Sequence, residues 1–175
     1  MVRLATWNIE WFNALFDDRG RLLDDAEPSA RYKVSRAEQA GAIAVVMSAL
    51  DADGIMVIEA PDQGSRRSTV RALEGFARKF VLRCRAALIG FPSDTEQEIA
   101  FLYDPDRLSV VHDPLGEPSQ THGAKGAPRF DTVLRADLDG DGVDEPVRFS
   151  KPPLELAAEF QGRKLRLIGV HAKSK

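Results

Sequence analysis

The chain has 175 residues, 43% hydrophobic and 29% charged, with a formal net charge of -3. That length suits one domain with a sizeable core and leaves little room for two, and the acidic balance excludes a protein that coats nucleic acid through an overall basic surface. A single cysteine, Cys84, excludes an internal disulfide framework and leans toward a reducing, cytoplasmic setting, with the thiol expected as a small core group.

Residues 3–11 are β-branched, aromatic and apolar with little helical period, as expected of a buried opening strand. Polar Thr6 and Asn8 and acidic Glu10 interrupt this stretch, which speaks against a secretory leader there. No run approaches the roughly 20 apolar residues of a membrane span. Residues 17–32 carry Asp, Arg, Gly and Pro without an apolar pattern and read as a long surface loop. Ser35 followed by Glu38 has the spacing of a capping box, and the helix it opens has Ile43, Val46, Met47 and Leu50 as its apolar face and ends at residues 51–54.

The apolar run 55–58 predicts a strand covered on both sides. A second helix is expected over 68–79 with Val70, Leu73 and Phe76 on one stripe. Strands are predicted at 81–89, 99–103 and 108–112, a loop or insertion at 113–128, and further strands at 143–149, 154–160 and 165–170, the last two joined by a tight turn at 161–163. This order argues for a mixed sheet with helices packed on one face.

Three segments carry chemistry. Asn8 is an amide within an apolar strand, where an unpartnered polar group is costly; it either satisfies a nearby turn or points from the strand end into a polar site. Glu59 closes the run Ile55-Met56-Val57-Ile58 ahead of the turn-like Ala60-Pro61-Asp62, and strand ends are where ligand sites gather. Together with Asn8 it offers hard oxygen atoms of the kind Mg2+ prefers. His171 ends the strand Leu165-Arg166-Leu167-Ile168-Gly169-Val170 and is followed by Lys173 and Lys175. A histidine there is either structural or an imidazole for proton transfer beside cations for phosphate.

In their order along the chain, Thr6-Trp7-Asn8-Ile9, Val57-Ile58-Glu59, Ile99-Ala100-Phe101-Leu102-Tyr103 and Leu167-Ile168-Gly169-Val170-His171 resemble the motifs of the endonuclease/exonuclease/phosphatase superfamily. Pro152-Pro153-Leu154 is similar to that family's Arg-Pro-Pro-Leu segment, with Lys151 in place of Arg. The resemblance implies an α/β (α+β) fold, the DNase I-like four-layer sandwich of two mixed β-sheets flanked by helices. Residues 1–175 would form an incomplete N-terminal portion of it, with residues 113–146 as an acidic insertion.

The resemblance further implies metal-dependent hydrolysis of a phosphodiester, with nucleic acid as the favoured substrate. Glu59 would be the ligand for Mg2+ or Mn2+, Asn8 would orient metal-bound or phosphate oxygens, His171 would assist at the scissile phosphate, and Lys173 would contact it. Gln97 or Glu98, just before the middle strand, would lie near His171. The family's later Gly-Asp-x-Asn and Ser-Asp-His motifs are missing from this sequence, so the chain alone is expected to be inactive or nearly so. Its partner would be the missing C-terminal half of the domain or a self-associating copy, covering an apolar sheet face that soluble monomers rarely expose.

Asp137, Asp139 and Asp141, with Gly140 and Gly142, match the opening of a calcium loop. Arg148 stands where the bidentate Glu of an EF-hand is required, which excludes that motif and leaves a shorter Ca2+ loop closed by Asp144 or Glu145, or an acidic hairpin turn. The competing expectation for the whole chain is a non-catalytic binding or structural module that keeps the first sheet, stapled by calcium at this loop.

Overall fold

The computed structural model describes residues 1–30, 33–93, 97–115, 135–137, 140–146 and 151–172. Strands β1 (Leu4–Asn8), β2 (Gly54–Ala60), β3 (Ala86–Ile89) and β4 (Glu98–Tyr103) form one sheet in the order β1-β2-β4-β3. β1 runs parallel to β2, and the other two pairings are antiparallel, so this sheet is mixed as expected. Strands β5 (Ser109–His112), β8 (Leu154–Phe160) and β9 (Arg163–Gly169) form a second sheet in the order β5-β8-β9. Both of its pairings are antiparallel, which corrects the expectation of two mixed sheets. β6 (Arg135–Ala136) and β7 (Glu145–Pro146) make a small separate ribbon.

Alternation along β2 divides the interior in two. Ile55 and Val57 face a core built with helices α1 (Arg36–Leu50) and α2 (Thr69–Lys79). Met56 and Ile58, with Ile99 and Phe101 of β4, face Leu154, Leu156 and Phe160 of the second sheet. Because side chains on a strand alternate faces, one apolar strand serves both cores, and the described layers run helices, first sheet, second sheet. Gly54 permits this packing, since a Cβ there would stand 2.3 Å from the Phe101 ring. Among the described residues no helix is long and apolar enough to cross a membrane.

Local signals set most boundaries. Ser35 Oγ accepts the Glu38 amide at 3.2 Å while the Ser35 amide donates to Glu38 Oε2 at 2.7 Å, completing the capping box of α1. The buried face of α1 is Ala40, Ile43, Ala44 and Met47, whereas Val46 is exposed. The expected stripe through Val46 is rotated accordingly, with Ala40 and Ala44 taking the inward positions beside Ile43 and Met47. In α2, capped by Ser68, Leu73 and Phe76 are buried as predicted, joined by Ala72 and Ala77.

The opening strand is shorter than its apolar pattern, because the chain turns after Asn8 into a single 3-10 turn, Phe12–Leu15. β3 also starts later than expected. Val81 takes a left-handed backbone (φ 52) and is exposed, so residues 81–85 wrap the sheet end and do not extend the strand. Cys84 is buried there, its thiol 3.1 Å from the Ala52 carbonyl, and burial pushes that thiol up to about 12. β8 and β9 are joined through Gln161 and Gly162, both with positive φ, the backbone that a tight hairpin of right-twisted strands requires. The strand expected at 143–149 is reduced to Glu145–Pro146 among the described residues.

Candidate functional site

The sheet ends bring the predicted residues together. β1 and β2 are in parallel register with Asn8 opposite Ile58, so the side chain that follows Ile58 emerges beside Asn8. Glu59 is the extra residue of a bulge: Ile58 pairs with Ile99 and Ala60 with Glu98, leaving Glu59 unpaired between them. A bulge re-aims the side chain it carries. Asn8 Nδ2 donates to Glu59 Oε1 at 3.1 Å, Gln97 Nε2 donates to Glu59 Oε2 at 3.2 Å, and His171 Nε2 lies 3.5 Å from Glu59 Oε1. An acid, two amides and an imidazole from four separate segments thus meet at one carboxylate. The Glu59 side chain keeps 17% exposure and His171 keeps 21%, so the cluster is reachable from solvent.

The backbone at this cluster is strained. Glu59 (φ 63) and Gln97 (φ 73) both occupy the left-handed region, which disfavours side chains with a Cβ by about 1–2 kcal/mol per residue. Such conformations persist only where surrounding contacts over-determine them. Lys151 Nζ donates to the Gln97 carbonyl at 2.7 Å and holds one of them. The Lys-Pro-Pro-Leu segment therefore supports the site through the backbone of Gln97.

Of the two residues before β4, Gln97 is the one that faces the cluster. Glu98 is 3% exposed and accepts the amides of Gln63 at 3.2 Å and Ser93 at 3.0 Å, tying together the loops after β2 and before β4. Burial raises its pKa, opposed by those two amides and by Lys151. Arg67 does similar work on the other flank. Its side chain is 12% exposed and donates to the carbonyls of Asp17 at 3.0 Å and Phe16 at 3.1 Å, and also to Asn13 Oδ1 and Asp62 Oδ1. Asn13 Oδ1 accepts the Asp62 amide as well, at 3.3 Å, so the 3-10 turn is locked to the loop that leaves Glu59.

Sequence reasoning missed Arg67 and Asn13 because neither lies in a recognisable pattern. His171 owes its position to Gly169, where a Cβ would come within 2.5 Å of Met56 Sδ and 3.0 Å of Ile99 Cγ2. That absence of a side chain lets the end of β9 approach the first sheet. Lys173 lies outside the described residues, as do Asp139 and Arg148 of the acidic loop. In that loop Asp137 accepts the amides of Gly140 at 2.6 Å and Gly142 at 2.9 Å, and Asp141 Oδ1 accepts Val143 at 2.8 Å. Both carboxylates thus act as turn acceptors, the arrangement of an Asx-stabilised hairpin. His112 is packed edge-on against Phe91 at 4.9 Å.

Among the described residues no three His, Cys, Asp or Glu side chains gather to hold a metal ion. The hard-oxygen group at this point is the one carboxylate of Glu59, whose oxygens accept from the amide nitrogens of Asn8 and Gln97 with the His171 imidazole alongside. It fits Mg2+ or Mn2+, which take one or two carboxylates and fill the remaining positions with water and substrate phosphate. It does not fit a closed zinc centre. No protein-family model, curated protein or solved structure matches the chain.

Proposed function

We propose that the chain carries the Glu59 part of a divalent-metal-dependent phosphodiesterase centre of the endonuclease/exonuclease/phosphatase type, acting on nucleic acid in the cytoplasm. The observation that supports this reading is the convergence of Asn8, Gln97 and His171 on the Glu59 carboxylate. A strained glutamate met by a strained glutamine, a second amide and an imidazole at the open end of a sheet is the kind of over-determined arrangement that functional sites carry.

Glu59 would hold Mg2+ or Mn2+, with Asn8 beside it. When bound, the cation supplies Lewis-acid polarisation of the phosphoryl group. Asn8 and Gln97 fix the two oxygens of Glu59 so that the carboxylate cannot rotate. The Nε2 atom of His171 faces the same point and can hydrogen bond to a phosphoryl oxygen or hand a proton to one. Lys173 follows it as a cation for the phosphate.

The fold supports the wider resemblance in its helix, sheet and sheet layers. The DNase I-like sandwich needs a fourth layer, and we assign that layer to a further segment or to a second copy. A groove of about 350 Å³ between the β1 and β9 edges of the described sheets, lined by Leu4, Met56, Phe101 and Leu167 among others, is where strands of that segment would continue both sheets. The same segment would bring Gly-Asp-x-Asn and Ser-Asp-His motifs, and without them catalysis by this chain is close to nil. The test is cleavage of a single-stranded oligonucleotide with Mg2+ or Mn2+. The 175-residue chain is expected to be near background, with cleavage appearing when a segment bearing those motifs is added in cis or in trans, and disappearing again in Glu59→Ala. Undiminished cleavage by the Glu59→Ala protein would overturn the assignment.

A further inference from the structure

Trp11 stands three residues beyond Asn8, so their Cα atoms are at most about 11 Å apart. Unlike Trp7, which packs against the helix-side core, Trp11 is 45% exposed. Its backbone lies at φ 65, ψ 11, in the third position of a turn closed by the Phe12 amide on the Ile9 carbonyl at 3.0 Å. That position suits glycine or asparagine. A tryptophan there is held against the backbone's own preference, and its ring is kept from the burial that tryptophan ordinarily finds.

The turn that carries the ring is fixed in place. Ile9 on one side is 3% exposed and Phe12 on the other is fully buried, so the turn is pinned at both ends. The indole N–H donates to Glu10 Oε1 at 3.0 Å, and the Trp11 carbonyl accepts the Ala14 amide at 3.1 Å. Trp11, Glu59 and Gln97 are all left-handed residues, and the segment carrying Trp11 is the one that Asn13 and Arg67 lock to the Glu59 loop.

We infer that Trp11 is a stacking platform for an unpaired nucleobase adjoining the phosphate at Glu59, which makes single-stranded nucleic acid the substrate class. The position of that phosphate rests on the phosphodiesterase reading above. A flat, rigid indole accepts the face of any base, giving affinity without sequence preference. Inositol phosphates and phospholipid headgroups offer no such aromatic face.

The test is binding of a short fluorescein-labelled single-stranded oligonucleotide, compared with the same backbone made abasic, in the presence of Mn2+. The native chain is expected to prefer the base-bearing strand by about 10-fold. Trp11→Gly suits the turn better than tryptophan, so it keeps the fold while removing the platform, and the preference should vanish; Trp11→Phe should retain part of it. An equal preference in the native and Trp11→Gly proteins would overturn the inference. So would a tryptophan emission shift on phosphatidylcholine vesicles with none on the oligonucleotide, the mark of a membrane contact. Mn2+ titration of Glu59→Ala reads the phosphodiesterase proposal separately, so either can fail while the other stands.

Discussion

Glu59→Ala is expected to weaken Mn2+ binding to the 175-residue chain by more than about 100-fold, because loss of groups that merely orient a ligand already costs 10–100-fold. Glu59 is the carboxylate on which Asn8, Gln97 and His171 converge, and its removal leaves two neutral amides and an imidazole with no anionic oxygen. Gln97→Leu separates ligand from support. It keeps the carboxylate and deletes the donor that fixes Oε2, so its loss should fall within the 10–100-fold range. Water-proton relaxation during Mn2+ titration measures both, with circular dichroism as the check that each protein is folded. Equal affinity in the native and Glu59→Ala proteins would show that the metal sits elsewhere.

Phe12→Ala is expected to lower folding stability by about 3–5 kcal/mol, the range for emptying an aromatic site in a packed core. Phe12 is fully buried and meets both Phe16 and Phe76 edge-on at 5.2 Å, contacts that add to the area it buries. For a domain of this size the change corresponds to a midpoint lower by roughly 10 °C. The effect should reach the site, since the same turn carries Trp11 and positions Asn13 against Arg67. Urea and thermal denaturation followed by circular dichroism provide the measurement, and a loss under about 1 kcal/mol, as at an ordinary surface position, would refute this view of the core.

Local and patterned features were legible in the sequence. The capping box at Ser35 and Glu38 depends on residues three apart, the apolar run of β2 on burial from both sides, and the hairpin at Gln161 and Gly162 on turn chemistry. Each is decided within a few residues, and each is present. The meeting of Asn8, Glu59 and His171 was expected from the family resemblance, since the residue types alone left Asn8 between a satisfied turn and a polar site and His171 between a structural and a chemical role.

What was not legible depends on tertiary packing or on backbone strain. Hydrophobicity ranks Val46 above Ala40 and Ala44, yet α1 docks with the alanines, Ile43 and Met47 inward and leaves Val46 exposed, a rotation set by tertiary packing. Nothing in the residue types of Trp11, Glu59 or Gln97 announces a left-handed backbone: a tight turn holds the first, while the bulge against β4 and the Lys151 contact hold the other two. For the same reason Gln97 and Glu98 could not be told apart beforehand. The bulge at Glu59 and the hold of Lys151 on the Gln97 carbonyl turn the first toward the cluster and leave the second buried beneath the loops. The antiparallel second sheet is likewise set by strand pairing, which alternation along β8 and β9 leaves undetermined.

The most direct measurement is anomalous diffraction from a crystal of the chain soaked in Mn2+. A peak is expected within coordination distance of a Glu59 carboxyl oxygen, about 2.0–2.3 Å for a hard dication of this kind, with the Asn8 amide and the His171 imidazole bordering it. A peak confined to the carboxylates of Asp137 and Asp141, or density in which the Glu59 side chain points away from both neighbours, would contradict that expectation.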